Sequence, residues 1–351
     1  MKDDAIIAAT DLVLVTGANG FIGAKVVEKL LECGCRRIRC FVRPSSSRDR
    51  LNRILADNRE ADVEIVEGNL LSKPDCGRAA RGVSVVYNLV AGMEKSFPGC
   101  FLNSVVTLRN LLDALSEQES HRRIVHVSSM AVYSNVSLRR GAALDESCEH
   151  ESHFMERFEG YCYGKVKQEE LLVEYGMTRG IPYVIVRPGV PYGPGVKSPI
   201  HARIGIDTFG LFLHLGGSNR LPLTQIDNCA TAIALAGLRP NIEGRALNVV
   251  DDDLPTSRAF LRLYKKHVHR FRSIYVPYWL FRMFCRAWER YSYWSGNQLP
   301  PAFNRRKCAA LWKGNTYPNQ RLKDSLGWSP RITFDQAATE YFTHLRESRR
   351  G

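Results

Sequence analysis

The chain has 351 residues and a formal net charge of +13, with 44% apolar and 24% charged residues, an ordinary globular balance that excludes extended disorder. That length exceeds one compact core, so a principal domain with a smaller lobe is expected. The basic charge suits anionic partners, but no long basic run or zinc-finger spacing accompanies it, which excludes the common nucleic-acid modules.

Taken in chain order, apolar stretches alternate with helical spacing. DLVLVTG (11–17) is β-branched and apolar, as a strand covered on both faces must be. AKVVEKLLECG (24–34) has helical spacing and stops at a glycine. RIRCFVR (37–43), VEIVEGNL (63–70) and VSVVYNLVAG (83–92) read as strands two to four, and LNSVVTLRNLLDALSE (102–117) as an amphipathic helix. RIVHVSSMAVY (123–133) is a fifth strand with its exit, GKVKQEELLVEYGMTRG (164–180) a helix and PYVIVRPG (182–189) a sixth strand. This alternation predicts an α/β fold, a doubly wound parallel sheet with helices on both faces and ligands at the carboxyl ends of its strands. After residue 195 the rhythm changes. GRALNVVDDDLPTSRAFLRLYKKH reads as one more strand and helix, and 275–330 is rich in aromatics, arginine and proline.

The ten cysteines form no zinc site: Cys33, Cys35 and Cys40 cluster without a second CxxC, and His150 and His153 are not spaced as HExxH. No metal is expected. The cysteines read as reduced and mostly buried, in a cytoplasmic protein. The opening MKDDAIIAATDLVLVTG has acidic residues and no signal-peptide core, and no apolar run is long enough to span a bilayer.

VTGANGFIG places Gly17, Gly20 and Gly23 between the first strand and the first helix. Gly17 permits the tight turn, Gly20 leaves room for a pyrophosphate, and Gly23 lets helix and strand pack closely. Backbone N–H groups at the helix start hold the phosphates, and Asn19, Phe21 and Ile22 are assigned to the cofactor with them. The expected boundaries are a Rossmann-like NAD(P)-binding domain over 1–194 and a mainly substrate-binding lobe over 195–351, with some elements returning to the first. The second strand ends on Arg43, not on the acidic residue usual for NAD, and Ser45 and Arg48 are near in sequence. This favours NADP over NAD.

GYCYGKVKQEELL (160–172) holds two tyrosine–lysine pairs at helical spacing, Tyr161 with Lys165 and Tyr163 with Lys167. From spacing alone either pair could move a proton.

The chain resembles the extended short-chain dehydrogenases/reductases, the NAD(P)-dependent epimerase/dehydratase group, with some similarity to the 3β-hydroxysteroid dehydrogenase branch. VTGANGFIG, EGNL (67–70), VYNLVAG (86–92), NSVVTLRNLLDA (103–114), VHVSSMAVY (125–133), YCYGKVKQEE (161–170), RPGVPYGPG (187–195) and LGWSP (326–330) carry the resemblance. It implies Asn69, Leu70, Val90, Ala91 and Pro188 as further cofactor contacts and a homodimer. It also selects Tyr161 and Lys165, because Glu169 follows at the family's spacing whereas Leu171 follows Lys167. Free tyrosine, with a pKa of about 10, stays protonated at neutral pH and so is no base there; a lysine cation and a positive nicotinamide ring favour the phenolate. Lys165 is implied to hold the nicotinamide ribose as well. Ser129 matches the family's serine or threonine that orients the substrate oxygen, with Ser128 as the alternative. Asn103 matches an asparagine that supports Lys165 through structure or water.

For the substrate, the resemblance argues in several directions. Met130 and Ala131 stand where sugar dehydratases carry Asp-Glu, and neither transfers protons. Arg220, seven before Asp227, matches an arginine that binds the diphosphate of nucleotide sugars. Val190 instead fits the hydroxysteroid branch. A secondary alcohol of a nucleotide sugar is the first expectation, a sterol or lipid-linked alcohol the alternative. In PYWLFRMFCRAWERYSYW (277–294), Trp279, Leu280, Met283, Phe284, Ala287, Trp288 and Tyr291 form an apolar stripe. It reads as a lobe helix packed on the core, with a substrate lid or a peripheral membrane contact as alternatives.

Overall fold

The structure is a computed structural model and describes residues 5–94, 96–118, 121–196, 200–208, 210–296 and 298–347. Its elements run β1 (Leu12–Thr16), α1 (Phe21–Glu32), β2 (Arg37–Val42), α2 (Asp49–Asp57), β3 (Asp62–Glu67), α3 (Lys73–Ala80), β4 (Val85–Asn88) and α4 (Phe97–Cys100). A π-helical run, Phe101–Val106, leads into α5 (Thr107–Ser116), followed by β5 (Arg123–Val127) and a 3₁₀ turn at Met130–Val132. Then come α6 (Phe154–Arg157), α7 (Gly160–Arg179), β6 (Tyr183–Pro188), β7 (Val190–Tyr192), β8 (Gly205–Thr208), β9 (Leu211–His214), β10 (Leu223–Gln225), α8 (Ile226–Leu238) and β11 (Ala246–Val249). The chain closes with α9 (Ser257–His267), β12 (Ser273–Tyr275), α10 (Tyr278–Trp294), α11 (Arg305–Trp312), α12 (Gln320–Leu326) and α13 (Phe334–Glu347).

Seven strands form one parallel sheet in the order β11-β6-β5-β4-β1-β2-β3. Every residue of β1, β4 and β5 is buried, which explains their unbroken apolar runs: helices cover both faces. The edge strand β3 differs. It alternates, and its register sets Asp62 opposite Arg37 and Glu64 opposite Arg39, paired at 3.3 and 3.0 Å. Charge on an outer strand discourages pairing with a further strand. Strand order reverses between β1 and β4, which opens a crevice at their carboxyl ends.

The second part of the chain divides its loyalties. α8 packs on α1, and β11 extends the main sheet beside β6. β7 pairs with β10, and β8, β9 and β12 form a small separate sheet. Asp227 at the start of α8 meets Lys25 and Lys29 of α1 at 3.2 and 3.3 Å, which clamps the returning helix to the first helix of the chain.

α8 approaches the sheet closely enough that Tyr87 Oη on β4 donates to Ala234 O at 2.7 Å. A Cβ on Gly237 would lie 2.0 Å from that same Oη. Gly237→Ala is therefore expected to cost about 2 kcal/mol of stability through overpacking, with partial recovery in Gly237→Ala/Tyr87→Phe, measured by urea unfolding.

Candidate active site

The glycine turn builds a cradle. Gly17 adopts φ +69, and a Cβ on Gly23 would stand 2.1 Å from Gly17 O, so only glycine lets α1 start this near β1. Gly20 caps α1 without a side-chain hydrogen bond, and the first turn has no acidic residue. The first N–H groups of α1 are left for an anion. Beside the cradle lies a cavity of about 1130 Å³ lined by Asn19, Arg43, Asn69, Leu70, Val90 and Asn103 among others. It adjoins a second, of about 740 Å³, that holds Ile22, Gly23, Ser129, Tyr161 and Lys165. Gly17, Gly20, Phe21 and Ala91 line both. One groove thus runs from basic residues past the phosphate cradle to the tyrosine, and a dinucleotide fits it.

At the inner end the polypeptide brings Ser129 to Tyr161. Ser129 caps the 3₁₀ turn, accepting from Ala131 N at 3.1 Å, and its hydroxyl is near enough to the Tyr161 phenol to favour the phenolate. Burial pushes the phenol up to about 12, with the Ser129 contact opposing it. Lys165, one turn along α7, is 2% exposed and donates to Val127 O at 2.6 Å rather than to Tyr161. Burial draws its pKa down to about 7, against the pull of Glu169. Tyr163 lies elsewhere: its ring packs on Phe97 and Phe154 at 5.6 and 5.2 Å, and Lys167 pairs with Glu170 at 2.6 Å.

Glu169, next along the Lys165 face, is buried at 2%. It accepts from Ser128 Oγ at 2.5 Å and from Arg187 on β6 at 3.0 and 2.5 Å. The residue that completes the Tyr-x-x-x-Lys pattern therefore ties α7 to the ends of two strands.

Residues 13–249 match the description "NAD dependent epimerase/dehydratase family". The chain belongs to that family. Cinnamoyl-CoA reductase 1 of Petunia hybrida is 28% identical over 196 residues, 55% of this chain and 58% of the petunia protein. The chain thus spans little more than half of that relative. Human sterol-4-alpha-carboxylate 3-dehydrogenase, decarboxylating, is 22% identical over 347 residues, 95% of this chain and 88% of that protein. The crystal structure of UDP-glucuronic acid 4-epimerase from Bacillus cereus with NAD superposes with a TM-score of 0.71 at 19% identity, covering 97% of this chain and 98% of that one, a likeness of fold.

Several residues assigned through the family pattern take other places. Asn103, in the π-helical run, gives its Nδ2 to Glu94 Oε1 at 2.7 Å and does not reach Lys165. Ser128 lines the inner cavity, and its hydroxyl donates to Glu169. Pro188 is buried one residue behind the cleft wall, which Gly189 and Val190 form. Arg220 is exposed, lies outside the linings of both cavities and donates to Leu254 O at 2.6 Å. Asp227, which marks the spacing of that pattern, pairs with Lys25 and Lys29. Arg48 pairs with Glu67, and Ser45 is not in the groove.

Other residues went unnoticed in the sequence. Arg50 and Arg53 of α2, with Ser46 and Ser47, line the groove near Arg43. Gln168 donates to Val90 O and Ser104 O at 3.1 and 3.0 Å and so fixes the groove's far wall. Tyr192, His201 and Arg203 line the inner cavity. Only α2's docking against the groove reveals its arginines; in sequence they are surface cations.

The low pKa of Lys165 has a thermodynamic signature. In the unfolded chain the amine keeps its ordinary 10.5, against about 7 when folded. Between those values the unfolded state binds the extra proton, so folding becomes more favourable as pH rises through the window and levels off above it. The stability of the cofactor-free wild type relative to Lys165→Met, from urea midpoints across that window, should rise with pH; a flat difference would contradict a buried, mostly neutral amine.

Proposed function

We propose that the protein is an NAD(P)-dependent dehydrogenase or reductase that interconverts a secondary alcohol and its carbonyl compound on a hydrophobic substrate. The observation that carries this reading is the wall beyond Tyr161, made by Met130, Val190, Ile204, Leu221, Leu223 and Phe260. Apolar walls with a few placed polar groups bind apolar ligands. Arg157 in the same cavity is already held by Glu159 at 2.7 Å. The Tyr192 hydroxyl is buried in the wall with no hydrogen-bond partner among the described residues, which suits a polar substituent of the substrate. Met130 and Ala131 leave no acid–base pair for dehydration. The relatives agree in kind: one is named for cinnamoyl-CoA and another for a sterol carboxylate.

A nicotinamide dinucleotide in the groove supplies or accepts the hydride. Tyr161 gives its proton to the carbonyl oxygen during reduction and recovers it during oxidation, while Ser129 holds that oxygen. With its pKa near 12 the phenol stands protonated at neutral pH, the state needed for reduction. Oxidation needs the phenolate, which positive charge on Lys165 supports.

The basic outer end of the groove supports NADP. Arg43 and Arg53 line it beside Ser46 and Ser47, whereas Arg50 is engaged by Gly195 O at 2.7 Å. Asp49, also there, accepts from Ser47 Oγ at 2.8 Å. Cationic forks suit a 2′-phosphate.

One observation favours a second reading, a nucleotide sugar. Arg203 is half-buried in the inner cavity and has no carboxylate partner among the described residues, and such a cation suits a diphosphate.

The test is turnover of steroid, aryl and alkyl alcohols or ketones against UDP- and GDP-sugars, each with NAD(H) and NADP(H). The hydrophobic reading expects turnover of an apolar compound. On it, Tyr161→Phe should lower kcat by at least about a hundredfold, and Tyr163→Phe should leave it near wild type. Turnover of sugars alone would replace the first reading by the second. In the same assay, Arg43→Ala and Arg53→Ala should each raise KM for NADP by about tenfold and leave KM for NAD unchanged; equal effects on both cofactors would remove the NADP preference.

A further inference from the structure

α10 was expected to bury its apolar stripe. It covers only one edge of that stripe, where Phe284 and Trp288 pack on Phe303 at 5.6 and 5.4 Å. Phe281, Cys285 and Ser292 are the residues it turns inward, and Phe281 packs on Trp312 and Phe303 at 5.2 and 6.1 Å. At about 100° per residue, Trp279, Leu280, Met283, Ala287, Tyr291 and Trp294 fall on the opposite side. Trp279 is 63% exposed, Met283 61% and Trp294 81%. Neither cavity lining includes a residue of α10, so the helix is not a substrate lid.

The charges on α10 are arranged around that face. Arg290 lies within it, and Arg282 and Arg286 border it; all three are exposed. Glu289 is the helix's one acidic residue, and Arg305 holds it at 2.6 Å. Ile274 and Tyr275, exposed at 54% and 45% on β12 just before the helix, extend the apolar surface. The whole chain carries +13.

We propose that α10 docks the protein on the surface of an anionic lipid bilayer, with the helix lying flat in the headgroup region. Tryptophan, methionine and leucine enter the acyl boundary while the arginines bind acidic headgroups. The charge complementarity selects this occupant: an exposed apolar face with one arginine within it and two at its border, its single carboxylate neutralised. Over 17 residues the helix presents a strip about 25 Å long. Among the described residues no helix is long and apolar enough to cross a membrane, so the contact is peripheral. The inference does not rest on the substrate assigned above. α10 packs on α11, whose Leu311 lines the inner cavity, which brings the lipid surface within one helix of the cleft.

The test is co-sedimentation of the full chain with vesicles of phosphatidylcholine plus phosphatidylserine, against phosphatidylcholine alone. Binding to the mixed vesicles is expected, with a blue shift of tryptophan emission and a loss on raising salt. Arg286→Gln/Arg290→Gln should weaken it by about twenty-fivefold, about fivefold per arginine. Trp279→Glu should weaken it at least tenfold, about the effect of losing one buried aromatic, while turnover of a soluble substrate stays at the wild-type level. Failure of the wild type to bind mixed vesicles, or undiminished binding by Trp279→Glu, would overturn the proposal. So would a dimer that Trp279→Glu converts to monomer without vesicle binding in the wild type, because the face would then belong to a second copy.

Discussion

A single buried carboxylate sets the geometry on which the site depends. Glu169 receives hydrogen bonds from Ser128 at the end of β5 and from Arg187 on β6, and α7 carries Glu169 itself. The same Arg187 donates to the Tyr133 hydroxyl at 2.7 Å, and that hydroxyl donates to Asn248 Oδ1 on β11 at 2.8 Å. Four elements are thereby registered to one another beneath the cleft. Ser129 follows Ser128 directly, and Tyr161 lies two turns before Glu169 on the same helix. The distance between the proton-carrying phenol and its partner hydroxyl is therefore set by this cluster. Apolar residues of equal volume could match its stability, but not its directional hold on β5 and α7.

Burial then acts on both members of the reactive pair in the same sense, toward neutrality. It raises Tyr161 to about 12 and lowers Lys165 to about 7. Near neutral pH the phenol keeps its proton and the amine is on the point of losing one. On the proposed function, the resting protein would be poised to give a proton to a carbonyl oxygen. Oxidation of an alcohol demands more positive charge near the phenol than the chain alone maintains.

Local chemistry was the legible part of the sequence. The glycine turn, the buried strands and the Tyr161–Lys165–Glu169 spacing each depend on neighbours within a few turns, and a periodic pattern records those. Contacts between distant segments left no such record. Arg220 matches a spacing rule, yet it lies outside both cavity linings and donates to Leu254 O, a placement that spacing from Asp227 does not record. Asn103 sits in a π-helical run, whose wider turn defeats any inference of facing from a 3.6-residue period. In α10 the periodicity correctly marks an apolar stripe, but it does not say which side the lobe covers. The smaller set, Phe281, Cys285 and Ser292, took the inner face because Trp312 and Phe303 meet it there.

Substrate choice follows from a core shared by both halves of the molecule. One apolar cluster contains Met130, Val132, Tyr133 and Cys162 from the nucleotide-binding half together with Phe260, Tyr341 and Phe342 from the lobe. Met130, Tyr192, Ile204, Leu221, Leu223 and Phe260 belong to that cluster and also form the cleft wall. Parting the two halves would tear close-packed side chains from one another, so a ligand enters through the open groove rather than by separation of the lobes. The wall is held at the density of an interior, and a ligand must match it as one core side chain matches another. On the proposed function, the residues that would read the substrate are thus packing residues in segments that follow no motif. This is why a family defined by its glycine turn and tyrosine can include proteins named for compounds as unlike as a cinnamoyl thioester and a sterol carboxylate.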